Sequence, residues 1–132
     1  MQTNHYSFSS GVRPDVSFIM PCYNEEEIIG YTIPKMVSAF DERRRVIVPL
    51  LNQLQGFKCL DPGGAFYVFP DITGTGMDAR ELQNKMLEQA GVATVAGTSF
   101  GIHGEGYIRF SYANSVENIR EAIRRIAALL RD

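Results

Sequence analysis

With 132 residues, 45% of them apolar, the chain is long enough for one domain with its own core. Its formal charge of −2, with acidic and basic residues interspersed, excludes the electrostatic footprint of a protein that binds nucleic acid or an anionic membrane. No apolar run approaches the roughly 20 residues of a membrane span, and the opening residues lack the charged and apolar regions of a signal peptide, so a cytoplasmic chain is expected.

Residues 1–15 are polar and without periodicity, which predicts a loosely attached arm. The apolar run 16–20, ended by Pro21, predicts one strand. Asn24 and Glu27 then stand at capping-box spacing before a helix that Gly30 and Pro34 limit to a turn or two. From Pro34 a longer helix is expected: Met36, Phe40, Ile47, Leu50, Leu51 and Leu54 recur near a 3.6 period, and Gly56 supplies the stop. Pro49 should bend this helix or open a second one. The cluster Arg43, Arg44 and Arg45, following Asp41 and Glu42, reads as a solvated helix face.

Residues 57–60 and 65–69 read as two strands joined by the turn Asp61-Pro62-Gly63-Gly64, hence as an antiparallel pair. Asp78 opens the next helix, with Glu81 three residues on, a stripe of Leu82, Met86 and Leu87, and Gly91 closing it. Residues 92–95 predict a strand, 97–106 a loop carrying four glycines, and 106–113 another strand. Asn114 and Glu117 again show capping-box spacing, and Val116, Ile119, Ile123, Ile126 and Leu130 write the buried stripe of a last helix. The sum is an α+β, two-layer sandwich in which helices pack on one face of a small, mostly antiparallel sheet.

The strand 106–113 organises the search for chemistry. It places Ile108, Phe110 and Tyr112 on one face and Tyr107, Arg109 and Ser111 on the other. A guanidinium on a face that opens onto a cleft suits bidentate capture of a carboxylate; an arginine on a solvated sheet face is the other reading of the same pattern. The glycine loop lacks the lysine and hydroxyl residue of a phosphate loop and reads as a flexible connection. Ser99 and His103 have no strand-to-helix elbow to frame a nucleophile. Lys35, Lys58 and Lys85 read as surface residues, and Cys22 and Cys59 stand without companion ligands, so neither a metal site nor a disulfide is assigned.

Several stretches share a further pattern in order and spacing. They are Phe-Asp-Glu-Arg-Arg at 40–44 leading to Leu51 and Asn52, and Pro-Gly-Gly-Ala-Phe-Tyr-Val-Phe-Pro at 62–70. They continue with Leu-Glu-Gln-Ala-Gly-Val at 87–92, Ala-Gly-Thr-Ser-Phe-Gly at 96–101, and Gly-Tyr-Ile-Arg-Phe-Ser-Tyr-Ala at 106–113. From about Met36 to Leu130 the chain resembles the C-terminal small domain of class I pyridoxal-phosphate aminotransferases of the aspartate aminotransferase type. The resemblance implies that Arg109 binds the α-carboxylate of an amino-acid or 2-oxo-acid substrate, and that Gly64 and Phe66 line the substrate entrance. It also implies pyridoxal phosphate as the family's cofactor. The family's Schiff-base lysine and the other cofactor-holding residues belong to a large domain that these stretches do not match. No catalytic residue is therefore assigned, and the chain alone is expected neither to bind the cofactor nor to transaminate. A sheet or helix surface left open by that domain is expected to support homo-oligomers.

Residues 16–29 resemble something different, the opening strand and loop of family 2 glycosyltransferases, although the Asp-x-Asp that would hold a diphosphate through a metal occurs nowhere in the chain. The expected organisation is an arm with one strand over 1–35 and a small aminotransferase domain over 36–132, as a fusion or a truncation. Two other functions stay open: a module that associates with itself or a partner, and a binder of nucleotide sugars.

Overall fold

A long helix, α1 (Glu26–Leu51), begins the part of the chain that the structure, a computed structural model, describes: residues 26–131. The expected strand at 16–20 and the cap at Asn24 lie outside those residues. Both Pro34 and Pro49 sit inside α1, so the helix neither stops at the first nor restarts at the second, as the sequence suggested, and it crosses the 35/36 boundary without a break. Each proline deletes one backbone bond. The burial of Ile47 and Leu51, 3% and 0% exposed, anchors the C-terminal turns on both sides of Pro49.

The arginine cluster does more than face water. Arg45 is exposed and pairs with Asp41 at 2.8 Å, whereas the half-buried Arg44 pairs with Asp41 at 2.6 Å and donates to the Pro62 carbonyl at 3.0 Å. It thereby ties α1 to the turn that follows.

The strands are β1 (Tyr67–Val68), β2 (Val95–Ala96) and β3 (Ile108–Ser111), ordered β1-β3-β2 with both pairings antiparallel. The partner of β1 is therefore β3 and not residues 57–60, which form no strand of the sheet. Lys58 instead bridges Asp71 through reciprocal bonds of 2.8 and 2.9 Å, and the Asn52 side chain holds both backbone groups of Cys59. Those backbone groups are satisfied without a hairpin, which removes the drive to form one.

Helix α2 (Ala79–Ala90) matches its capping signals: Asp78 accepts from the N–H groups of Arg80 and Glu81, and Gly91 ends it with φ of 65°; of the expected stripe Leu82 and Met86 are buried, whereas Leu87 is exposed. Glu105 accepts the remaining first-turn donor, the Ala79 N–H, at 3.2 Å, fastening the glycine loop to this helix start. Helix α3 (Val116–Leu129) is capped by Ser115, one residue later than expected. Asn114 accepts instead from Ser115 N and Asn118 Nδ2. Its buried stripe is Ile119, Ile123, Ile126 and Leu129. On its outer face Arg124 and Arg125 hydrogen-bond Glu121 and hold that carboxyl down to about 2. α3 packs on both α1 and α2, giving the expected helical layer over one face of a three-stranded sheet. No helix among the described residues is long and apolar enough to cross a membrane.

Candidate functional site

Alternation along β3 carries the site. Ile108, Phe110 and Tyr112 enter the core at 0%, 5% and 1% exposure, while Tyr107 and Arg109 are half-buried and Ser111 exposed on the opposite face. On that open face the Arg109 guanidinium carbon lies 4.2 Å from the Tyr67 ring centroid and 4.4 Å from that of Phe100. Phe69 completes the cluster, stacked on Tyr107 at 5.5 Å and set edge-on to Phe100 at 6.1 Å. Arg44, Arg45, Arg124 and Arg125 all pair with carboxylates, whereas Arg109 has no hydrogen bond or ion pair among the described residues. Its aromatic contacts are worth about 0.5–1 kcal/mol each at such partly exposed positions and leave its donors available to an anion.

The other two residues expected at the site sit apart from this cluster. Gly64 is half-buried in the bend that precedes β1, and Phe66 packs its ring against Phe40 at 5.9 Å on the core side. Phe66 reaches the arginine only through its neighbour Tyr67, ring to ring at 4.4 Å. Between Gly64 and Phe66, Ala65 adopts φ of 63°, a conformation that its side chain disfavours. The Tyr112 hydroxyl donates to the Ala65 carbonyl at 2.7 Å and Tyr112 N donates to that of Phe66 at 2.9 Å, fixing this turn from β3. Burial pushes the Tyr112 phenol up from its ordinary range, an effect that nearby Arg44 opposes.

Tyr67 and Phe100 were not among the expected site residues. Period-two alternation through β1 already sets Tyr67 and Phe69 on the face opposite Val68, so the first was legible. Phe100 was not. It belongs to the loop read as flexible, which is in fact two 3-10 turns, Gly97–Phe100 and Ile102–Gly104, packed backbone against backbone. Ser99 and His103 are exposed on those turns. A cleft of about 400 Å³ lies elsewhere, lined by Gly91, Val92, the end of β3 and α3; Ser111, Asn114, Asn118, Glu121 and Arg125 are its polar residues, and Arg109 takes no part in it. Arg109 thus stands on the open sheet face, away from that cleft.

Among the described residues, then, a helical layer covers one face of an antiparallel sheet and a stacked cation stands on the other. The chain belongs to the class I and II aminotransferase family, whose model matches residues 4–126 and so runs across the segment that resembled glycosyltransferases. It is 45% identical over 98 residues to an aspartate aminotransferase of Pyrococcus horikoshii, covering 74% of this chain and 25% of that one. It is 37% identical over 100 residues to aromatic-amino-acid aminotransferase 2 of Thermococcus litoralis, covering 76% and 25%. Among solved structures, an aromatic aminotransferase from Pyrococcus horikoshii superposes with a TM-score of 0.77 at 37% identity, covering 81% of this chain and 28% of that one. Aspartate aminotransferase from Thermus thermophilus, solved with maleate, gives 0.71 at 35% identity, covering 80% and 27%. The chain spans about a quarter of the length of the curated relatives it matches.

Proposed function

We propose that this chain is the carboxylate-binding part of a pyridoxal-phosphate-dependent amino-acid transaminase, with Arg109 receiving the α-carboxylate of an amino-acid or 2-oxo-acid substrate. The observation that carries the reading is a guanidinium held on a sheet face with its donors unclaimed among the described residues. Membership of the aminotransferase family and the maleate in the Thermus relative, a dicarboxylate, support it. In this reading the small domain takes residues 36–132, with α1 running on unbroken ahead of that boundary, and Gly64 and Phe66 shape the entrance through the turn that sets Tyr67.

The described residues do not fit the cofactor itself. When bound, pyridoxal phosphate supplies an electron sink for bond cleavage at the substrate α-carbon. Its attachment needs a lysine amine, and Lys35 lies over the ring of Tyr31 on α1, 3.8 Å from its centroid, while Lys58 is exposed and bridged by its backbone to Asp71. Lys85 lies on α2 in the helical layer. What this chain's residues do is bind and orient: Arg109 fixes one end of an acid, and the rings beside it hold the guanidinium in place. Transamination then requires groups beyond the described residues.

The test is a titration of the isotope-labelled chain with maleate, followed by NMR, beside an assay for 2-oxo-acid formation from aspartate with added pyridoxal phosphate. Maleate should perturb Arg109 and its neighbours in the parent chain and not in Arg109→Leu, with no turnover in either. Turnover that depends on one of the three lysines would sink the claim of incompetence. A second reading, self-association, rests on the apolar rings that this same face exposes, Phe69 at 41% and Phe100 at 53%. A clean monomer in concentrated sedimentation runs would remove it.

A further inference from the structure

We propose that Tyr67 and Phe100 are positioning residues: they clamp the Arg109 guanidinium from its two flanks, fix its plane, and leave only its N–H edge to meet an acid. β3 is the central strand, and the two rings arrive from opposite sides of it. Tyr67 belongs to β1, one strand over, and Phe100 to the turn that continues from β2 on the other side. Both lie close over the same cationic carbon, at 4.2 and 4.4 Å. A planar guanidinium stacks on aromatic rings through its faces, and its five donors radiate in its plane. Two rings at once therefore remove the rotamers that a lone surface arginine would sample, and the ordering cost is met before any ligand arrives.

The supports are themselves braced. Phe69 leans edge-on against Phe100 and stacks on Tyr107, while Phe66 abuts Tyr67. A ligand that approaches such a cation meets a slot that favours planar, bidentate acids lying in the guanidinium plane. That last step rests on the proposed carboxylate function; the clamping of Arg109 does not.

The experiment reads the two separately in the full chain. In the unliganded protein, the Arg109 Nε–H resonance should be displaced upfield by the ring currents, and rotation about its Nε–Cζ bond should be slow. Tyr67→Leu and Phe100→Leu should each return the shift towards a free arginine and speed that rotation, while Tyr67→Phe, which keeps the ring, should retain both. Phe100 is half exposed, so its variant folds even if Tyr67→Leu does not. Maleate affinity at Arg109 should fall about two- to fivefold in either leucine variant, as expected when part of the cost of ordering one side chain moves to the binding step. Unchanged shift and rotation in Phe100→Leu, or their absence in the parent chain, would overturn the clamp. If the parent shows both signatures and maleate leaves Arg109 unmoved, the clamp stands and the carboxylate function fails.

Discussion

Replacing Gly97 by alanine should loosen the loop that holds Phe100 over Arg109. Gly97 follows β2 directly and donates its N–H to the Tyr107 carbonyl at 2.8 Å. A Cβ built there would stand 2.1 Å from the Gly104 oxygen, and one built on Gly104 would stand 1.9 Å from that of Gly97. To open even 3.0 Å, the Gly104 peptide must retreat by about 0.9 Å, and it is backbone, with no flexible end to swing away. Overpacking of this kind costs about 1–3 kcal/mol, and rigid neighbours place Gly97→Ala near the upper end. The narrower unfolded ensemble of alanine returns about 0.4–1 kcal/mol, leaving a net loss of about 2 kcal/mol, a large share of a small domain's stability. With a urea slope of about 1–2 kcal/mol per molar, the unfolding midpoint should fall by about 1–2 M. Gly63→Ala is the matched control, since its Cβ would meet nothing within 4 Å and its φ is not left-handed. Its midpoint should hold or rise slightly. Equal midpoints for the two variants would refute the claim that the paired turns are in backbone contact.

Two further outcomes follow from the same structure. Ala65 holds φ of 63° with its side chain exposed, so Ala65→Gly relieves about 1–2 kcal/mol of left-handed strain while adding about 0.5–1 kcal/mol of unfolded-state freedom. A net gain of about 0.5–1 kcal/mol should appear in urea unfolding, and a loss would mean that the methyl group is packed. Burial, with Asp61 adding to it, pushes the Cys59 thiol up to about 11 from 9.0. In a Cys22→Ser background, alkylation of native Cys59 at pH 8 should be about 100-fold slower than in urea. Because the folded state holds this proton more tightly, its contribution to stability is intact below pH 9 and lost as pH rises towards 11. Fast native alkylation at pH 8 would contradict the burial.

Local chemistry carried much of the fold into legibility. Period-two alternation in 106–113 set Arg109 opposite Ile108, Phe110 and Tyr112, because strand geometry leaves no other choice. Asp78, Gly91 and the isoleucine stripe of α3 marked their helices, because capping and burial periodicity are properties of a few neighbouring residues. The ordered motifs around Arg109 also pointed to the aminotransferase family before any contact was known.

What remained hidden was decided by partners distant in the chain. Residues 57–60 alternate like a strand, yet Asn52 and Asp71 satisfy their backbone and β3 takes β1 instead. Pro49 broke no helix, because burial of Ile47 and Leu51 outweighs one missing bond. Phe100 joined the site only when two glycine backbones met and carried it across from β2's end. The sequence by itself determined which face of which strand bears the arginine; the tertiary structure decided what stands on either side of it, because stacking is set by neighbours in space, which residue spacing along the chain does not encode.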